Sequence, residues 1–401
     1  MFETNRVLSR LALVTFTSIA IGGASYSSAN AGGSIGGDCC ADLEERVSEL
    51  ELTTARKGNR KVSLTISGQI NKAVMYWDDG NTDDAYVVDN STSNSRINFS
   101  GSARVTRGIT AGYVLEFDYD SAESNAVTAA DDDGGGTDSA LDLRLAAWYI
   151  RSEHLGRITV GQFSPATDNL ILVNLGGSSA AATADTRQWN GAFTAVGGGG
   201  ATWADMQQGI ASMDTDRGDI VRYDSPMFLG FIVSASWGED DVWDASLKWN
   251  GNLADFRVAF GVGYIEDNDD NTANWSAIMG SGSVVHVPTG LFLTGAYYER
   301  DVDGVATDSS MYYLQAGVKR RVFNAGSTTL YVEYSNNEDF AVETGGAATS
   351  SEVDVWGGGI VQNIDAAAME LYASFRGYEG QIDGVNTEDF SAVMTGARIK
   401  F

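Results

Sequence analysis

The stretch Leu141-Asp142-Leu143-Arg144-Leu145-Ala146-Ala147-Trp148-Tyr149 turns at Ser152-Glu153-His154-Leu155-Gly156 and returns through Arg157-Ile158-Thr159-Val160-Gly161-Gln162. Successive side chains on a strand point to opposite faces. Strict alternation therefore puts Leu141, Leu143, Leu145, Ala147 and Tyr149 on one side, and Asp142, Arg144, Ala146 and Trp148 on the other. Beyond Phe163, residues 164–217 hold no sustained strand pattern. Connections beyond ~12–15 residues are uncommon in compact domains and are usually functional or disordered. A hairpin that is apolar on one face, charged on the other and extended by an oversized loop is the unit of a pore wall.

The same unit repeats along the chain. Sixteen alternating segments are expected from residue 62 to the end: 62–77, 95–106, 110–120, 141–149, 157–162, 219–224, 228–237 and 242–250 in the first half. The second half supplies 254–265, 274–286, 290–300, 310–321, 327–336, 351–363, 367–378 and 389–401. In the first, Val62, Leu64, Ile66, Gly68 and Ile70 oppose Ser63, Thr65, Ser67, Gln69 and Asn71, and Lys72 breaks the apolar row. In the third, Glu116, Asp118 and Asp120 share the polar face. The connectors alternate as well. One set is short, as at Arg107-Gly108, Gly251-Asn252 and Pro288-Thr289; the other is long and acidic, at 78–94, 121–139, 164–217, 266–273, 301–308, 337–350 and 379–388. An even strand count, alternating segments of about ten residues and long loops at one end only are the signature of an outer-membrane barrel. A soluble sandwich shares the alternation, but would not place Arg, Asp and Gln so regularly on the face away from the apolar row. The expected fold is all-β: a 16-stranded antiparallel transmembrane β-barrel over 62–401, with a short periplasmic helix ahead of it.

Composition narrows the function. The chain carries 54 acidic residues against 26 basic ones, a net charge of −28. Nucleic acid is excluded as a partner, because its binding needs Lys and Arg to neutralise phosphates. Three prolines against 47 glycines suit long strands and tight turns. The two histidines, His154 and His286, both fall at expected turns, so neither His-based catalysis nor a metal site has a basis, and no cofactor is expected. Residues 1–31 read as a secretory signal, with Arg6 and Arg10 at its start, an apolar run over 8–21 and Ala29-Asn30-Ala31 as the cleavage site. That run is too short and polar to span a bilayer as a helix, so any span must be built from strands. The adjacent Cys39 and Cys40 suit intermolecular pairing or free thiols better than a strained ring between neighbours. Residues 32–61 hold a helical repeat, Leu43, Val47, Leu50 and Thr54, followed by a basic linker. Two heptads are too few to stand alone, but copies from neighbouring subunits could bundle.

Particular runs carry a resemblance. Ala41-Asp42-Leu43-Glu44-Glu45-Arg46-Val47, Ala55-Arg56-Lys57-Gly58-Asn59-Arg60-Lys61-Val62 and Val285-His286-Val287-Pro288-Thr289-Gly290 resemble alphaproteobacterial porins. Leu155-Gly156-Arg157-Ile158-Thr159-Val160-Gly161-Gln162, Val221-Arg222-Tyr223-Asp224-Ser225-Pro226 and the terminal Phe401 resemble Gram-negative general porins more widely. The resemblance implies an outer-membrane homotrimer, in contact with lipid and lipopolysaccharide, whose third long loop folds inward as a constriction. It implies that Phe401 signals to the barrel assembly machinery. It also implies wall arginines facing loop acids: Arg96, Arg144 and Arg222 match the wall positions, Arg104 is a further inward candidate, and Asp168, Asp185 and Asp205 are the loop acids, with Asp214 and Asp216 near the loop exit.

Opposed rows of charge in a narrow aqueous pore favour small polar solutes. Three functions fit: a general diffusion porin for ions and small hydrophilic solutes, a solute-specific channel whose third-loop aromatics stack a sugar, or a structural outer-membrane protein. The first is expected, with a weak cation preference from the acidic loops.

Overall fold

The computed structural model describes residues 61–134, 140–208, 217–239, 241–268, 273–344 and 348–401. The expected signal sequence, Cys39, Cys40 and the expected helix lie outside the described residues, as do Asp214 and Asp216. Hydrogen bonding joins eighteen pieces of strand into one sheet. Two pairs of pieces are halves of one interrupted strand, so sixteen strands cross the wall. They are β1 (Thr65–Asp78), β2 (Asp83–Asp89 then Arg96–Thr106), β3 (Ile109–Asp120), β4 (Ala140–Ser152), β5 (Gly156–Phe163) and β6 (Gly218–Asp224). Next come β7 (Phe231–Gly238), β8 (Trp243–Leu253), β9 (Phe256–Asp267), β10 (Trp275–His286) and β11 (Leu291–Val302). The last are β12 (Ser309–Phe323), β13 (Gly326–Glu338), β14 (Ser351–Ile364), β15 (Met369–Ile382) and β16 (Val385–Asn386 then Phe390–Lys400).

Each strand pairs antiparallel with its neighbours, and β1 closes the ring on β16 with Gln69 opposite Lys400 and Asp78 opposite Ser391. The Phe401 amide donates to the Gly68 carbonyl at 3.0 Å and its carbonyl accepts from the Gly68 amide at 2.9 Å. Closure satisfies every edge, the condition for spanning hydrocarbon with strands. The faces are inverted relative to a water-soluble protein. Val262 and Leu314 look outward at 51% and 52% exposure, with Ile66, Ile70, Val74 and Leu293 around the same surface. Asn71, Arg300, Gln315 and Arg376 point inward and are buried. The two histidines keep to the turns: His286 ends β10 with its Nδ1 2.7 Å from Thr289 Oγ1.

Two departures from the expected pattern have physical causes. Residues 78–94 are not one loop, because Asp83–Asp89 pairs with the upper half of β1 from Lys72 to Asp78. Its acidic flanks disguise it as a connector, and cross-strand pairing overrides weak local propensity. The strand breaks at Asn90, whose side chain caps the short turn Ser91–Ser93. In β4 the alternation is not strict. Glu116 faces Leu145 while Phe117 faces Leu143, leaving Arg144 as the extra residue of a β-bulge. Parity flips there: Leu141 and Leu143 look outward, but so do Trp148 and Ile150, while Ala147 is buried. Trp148 and Tyr149 thus occupy the faces opposite to those that strict alternation assigns.

Candidate functional site

Inside the barrel, β2, β3 and β4 bring four charged side chains together. Arg96 is the register partner of Asp118, and Asn98 of Glu116. The bulge aims Arg144 inward, where its Nε donates to Glu116 Oε1 at 3.2 Å and a second N–H donates to Asp118. Arg96 lies 3.8 Å from the same Glu116 oxygen and donates to Ser93 Oγ at 3.1 Å. Two guanidinium groups and two carboxylates make this group formally neutral. Its acids come from the wall. Arg222, two strands further on, donates to Asp224 Oδ1 from Nε at 3.0 Å and from a terminal nitrogen at 2.7 Å. Its remaining N–H groups reach the carbonyls of Ser164 and Pro165, so Arg222 holds the start of the inner segment. Arg104 is exposed, close to the Arg107-Gly108 turn, and stands apart from this group.

The segment from Ser164 to Gln208 lies against inward-facing residues along the sheet. Thr167 donates from its amide and hydroxyl to Asp244 of β8. Ser281 of β10 donates to the Leu170 carbonyl, and Asn174 to Gln315 of β12 at 2.8 Å. Thr329 of β13 reaches the Gly176 carbonyl at 3.0 Å, and Asn90 reaches that of Ala180 at 2.9 Å. Arg376 of β15 donates to the carbonyls of Thr183 and Thr186 while paired with Glu333. Phe193 packs between Trp77 and Phe390 with ring centroids 4.8 and 4.9 Å away, and Trp203 lies against Tyr378. The aromatics of this segment are buried in that contact.

The acids of the segment have local partners. Asp168 is buried 3.6 Å from Arg217. Asp185 lies 3.2 Å from Arg187 and accepts from Gln188. Asp205 accepts from the Thr202 amide and hydroxyl, completing a capping box on the short helix Trp203–Gln207. The two buried pairs that fasten the segment, Arg376–Glu333 and Arg300–Glu343, are absent from the sequence reading. Alternation puts Glu333 and Arg376 on polar faces, which was the available signal, but only folding shows that they meet. No group of ligands able to hold a metal occurs among the described residues.

The family described as Gram-negative porin matches residues 16–383. Among solved structures, the anion-selective porin from Comamonas acidovorans is similar at 15% identity and TM-score 0.58, covering 85% of this chain and 100% of that one. The trimer form of OmpT from Vibrio cholerae aligns at 15% identity, TM-score 0.53, 85% of this chain and 99% of that chain. A mutant of Rh. blastica porin aligns at 14% identity, TM-score 0.51, 84% and 100%. No curated protein sequence matches.

Proposed function

Because the chain belongs to the Gram-negative porin family, an outer-membrane β-barrel channel for small solutes, we propose that it passes ions and small hydrophilic solutes by passive diffusion with a weak preference for cations. The observation that carries the proposal is the inverted barrel, apolar outside and charged within. In this reading the segment Ser164 to Gln208 narrows the lumen. Homotrimers are the working form, a state in which the Vibrio OmpT is also found, with lipopolysaccharide around the barrel and Phe401 read by the assembly machinery.

The sign of the preference has to come from this chain's own charges, since the Comamonas porin of the same fold is anion-selective. The Arg96–Arg144–Glu116–Asp118 group contributes no net charge. The long-connector end carries Asp79, Glu239, Asp303, Asp308, Glu388 and Asp389, and no lysine or arginine occurs among the described residues of those connectors outside 164–217. Such a rim raises local cation concentration, and salt screens it. Reversal potentials across planar bilayers in a KCl gradient test this. Modest potassium preference that fades as salt rises is expected; clear chloride preference overturns the sign, and no conductance overturns the channel.

A further inference from the structure

At the short-turn end of the lumen two arginines face each other without an acid between them. Arg151 of β4 is the register partner of Arg157 of β5. Both point inward, since Ile150 and Ile158 beside them face outward at 47% and 48% exposure. Like charges directly opposed across strands are destabilising. Among the described residues neither guanidinium lies in an ion pair, although wall arginines Arg96, Arg144 and Arg222 all do. Asp224 is the register partner of Arg157 on its other side, but Asp224 Oδ1 is occupied by Arg222 and by the Ser234 hydroxyl.

Arg157 is also held in place. The Arg157 guanidinium sits 4.2 Å from the Tyr149 ring centroid and 5.3 Å from that of Phe163. Its Nε is buried with no hydrogen-bond partner. Tyr149 can lie there because residue 112 is glycine: a Cβ at Gly112 would stand 2.4 Å from the Tyr149 ring. An arginine stacked on aromatic faces keeps its edge free as a planar fork for an oxyanion. A structural role predicts a carboxylate bonded at that edge; Asp224 acts on Arg157 only from beyond ion-pair distance and is itself held by Arg222 and Ser234.

We propose that Arg151 and Arg157 form an oxyanion-binding subsite on the lumen wall, taking the carboxylate or phosphate group of a small solute. The proposal rests on the channel reading and deepens it: anionic solutes have a resting point beyond the acidic rim. The probe is inorganic phosphate, with chloride at matched ionic strength as control, and the protein is the full mature chain in detergent and in planar bilayers. Equilibrium dialysis should show saturable phosphate binding, and phosphate should reduce single-channel conductance with the same half-saturation. Arg157→Gln and Arg151→Gln should each raise that half-saturation about tenfold, the scale of one charge-assisted hydrogen bond. Arg151 is exposed and makes no side-chain hydrogen bond or ion pair among the described residues, so its variant keeps the test open if Arg157→Gln fails to fold. Binding no stronger than chloride, or equal half-saturation in all three proteins, overturns the subsite. Conducting channels without arginine-dependent phosphate binding sink this proposal alone; phosphate binding without any conductance sinks the channel reading alone.

Discussion

Glu333 and Arg376 show how much a single buried pair can hold. Arg376 Nε donates to Glu333 Oε1 at 2.8 Å and a terminal nitrogen to Oε2 at 3.1 Å. Tyr313 gives Oε2 a further hydrogen bond at 2.7 Å, and the Trp189 ring lies 5.1 Å from the guanidinium. The other N–H groups of Arg376 go to the inner segment at Thr183 and Thr186. Removing one partner of a buried pair strands the other charge, at about 3–5 kcal/mol. Glu333→Gln should therefore lower the unfolding free energy of refolded protein, read from urea titration, by that amount. The double change Glu333→Leu with Arg376→Met should recover much of the stability, since apolar replacement of a whole pair is often neutral or better. It should still leave the Thr183 carbonyl without its Arg376 donor and that of Thr186 with the Tyr378 hydroxyl alone. Limited proteolysis within 183–189, faster in the double variant than in wild type, checks this; equal rates would show that the pair does not fasten the segment.

The loop connecting β14 to β13 and the hairpin between β15 and β16 are tied by one carboxylate. Asp383 Oδ1 accepts from the Thr349 amide and hydroxyl, both at 2.7 Å, and from the Ser350 amide at 3.1 Å. The Thr349 amide, then its hydroxyl, hold the Asp383 carboxyl below the ordinary aspartate range. A depressed folded pKa means that the tie is fully present above the unfolded-state value and is lost as pH falls through the folded one. Amide protection at Thr349 and Ser350, corrected for intrinsic exchange, should hold at neutral pH and drop only in strong acid; Asp383→Ala, which removes the acceptor, should show the loss at every pH. Protection unchanged in that variant would remove the tie. Elements of this kind mark the limit of the sequence. The sixteen strands were legible because turns and alternation repeat at strand spacing, and most ends fall within a few residues of Thr65–Asp78, Trp275–His286 or Ser351–Ile364. The bulge at Arg144 was not legible, because one inserted residue leaves no compositional mark while reversing every side chain beyond it. Nor was the strand Asp83–Asp89, whose acids read as loop. At the candidate site, polar faces located Arg96, Arg144 and Arg222, but not the partners that folding supplies.

Across the whole molecule, charge and apolarity are sorted along two directions. Along the barrel axis, the described long connectors outside 164–217 carry acids without a lysine or arginine, while Arg104, Arg107, Arg151, Arg157, Arg320 and Arg321 gather toward the short turns. Around the barrel, the outer face is apolar from β1 to β16. If hydrocarbon is the solvent of that face, the cost of a charge must depend on which way the residue points. Val262, near the middle of β9 and looking outward, is a site where Val262→Arg should cost about 2–4 kcal/mol, the figure for arginine at the bilayer midplane of an outer-membrane barrel. Arg151, pointing inward on the same wall, already carries that charge with its guanidinium exposed. Equilibrium urea unfolding from lipid vesicles measures the difference. In a soluble protein an exposed Val→Arg change away from any special feature stays within about 0.5 kcal/mol, so a cost that small would place the β9 face in water or against protein and contradict a lipid-facing belt there.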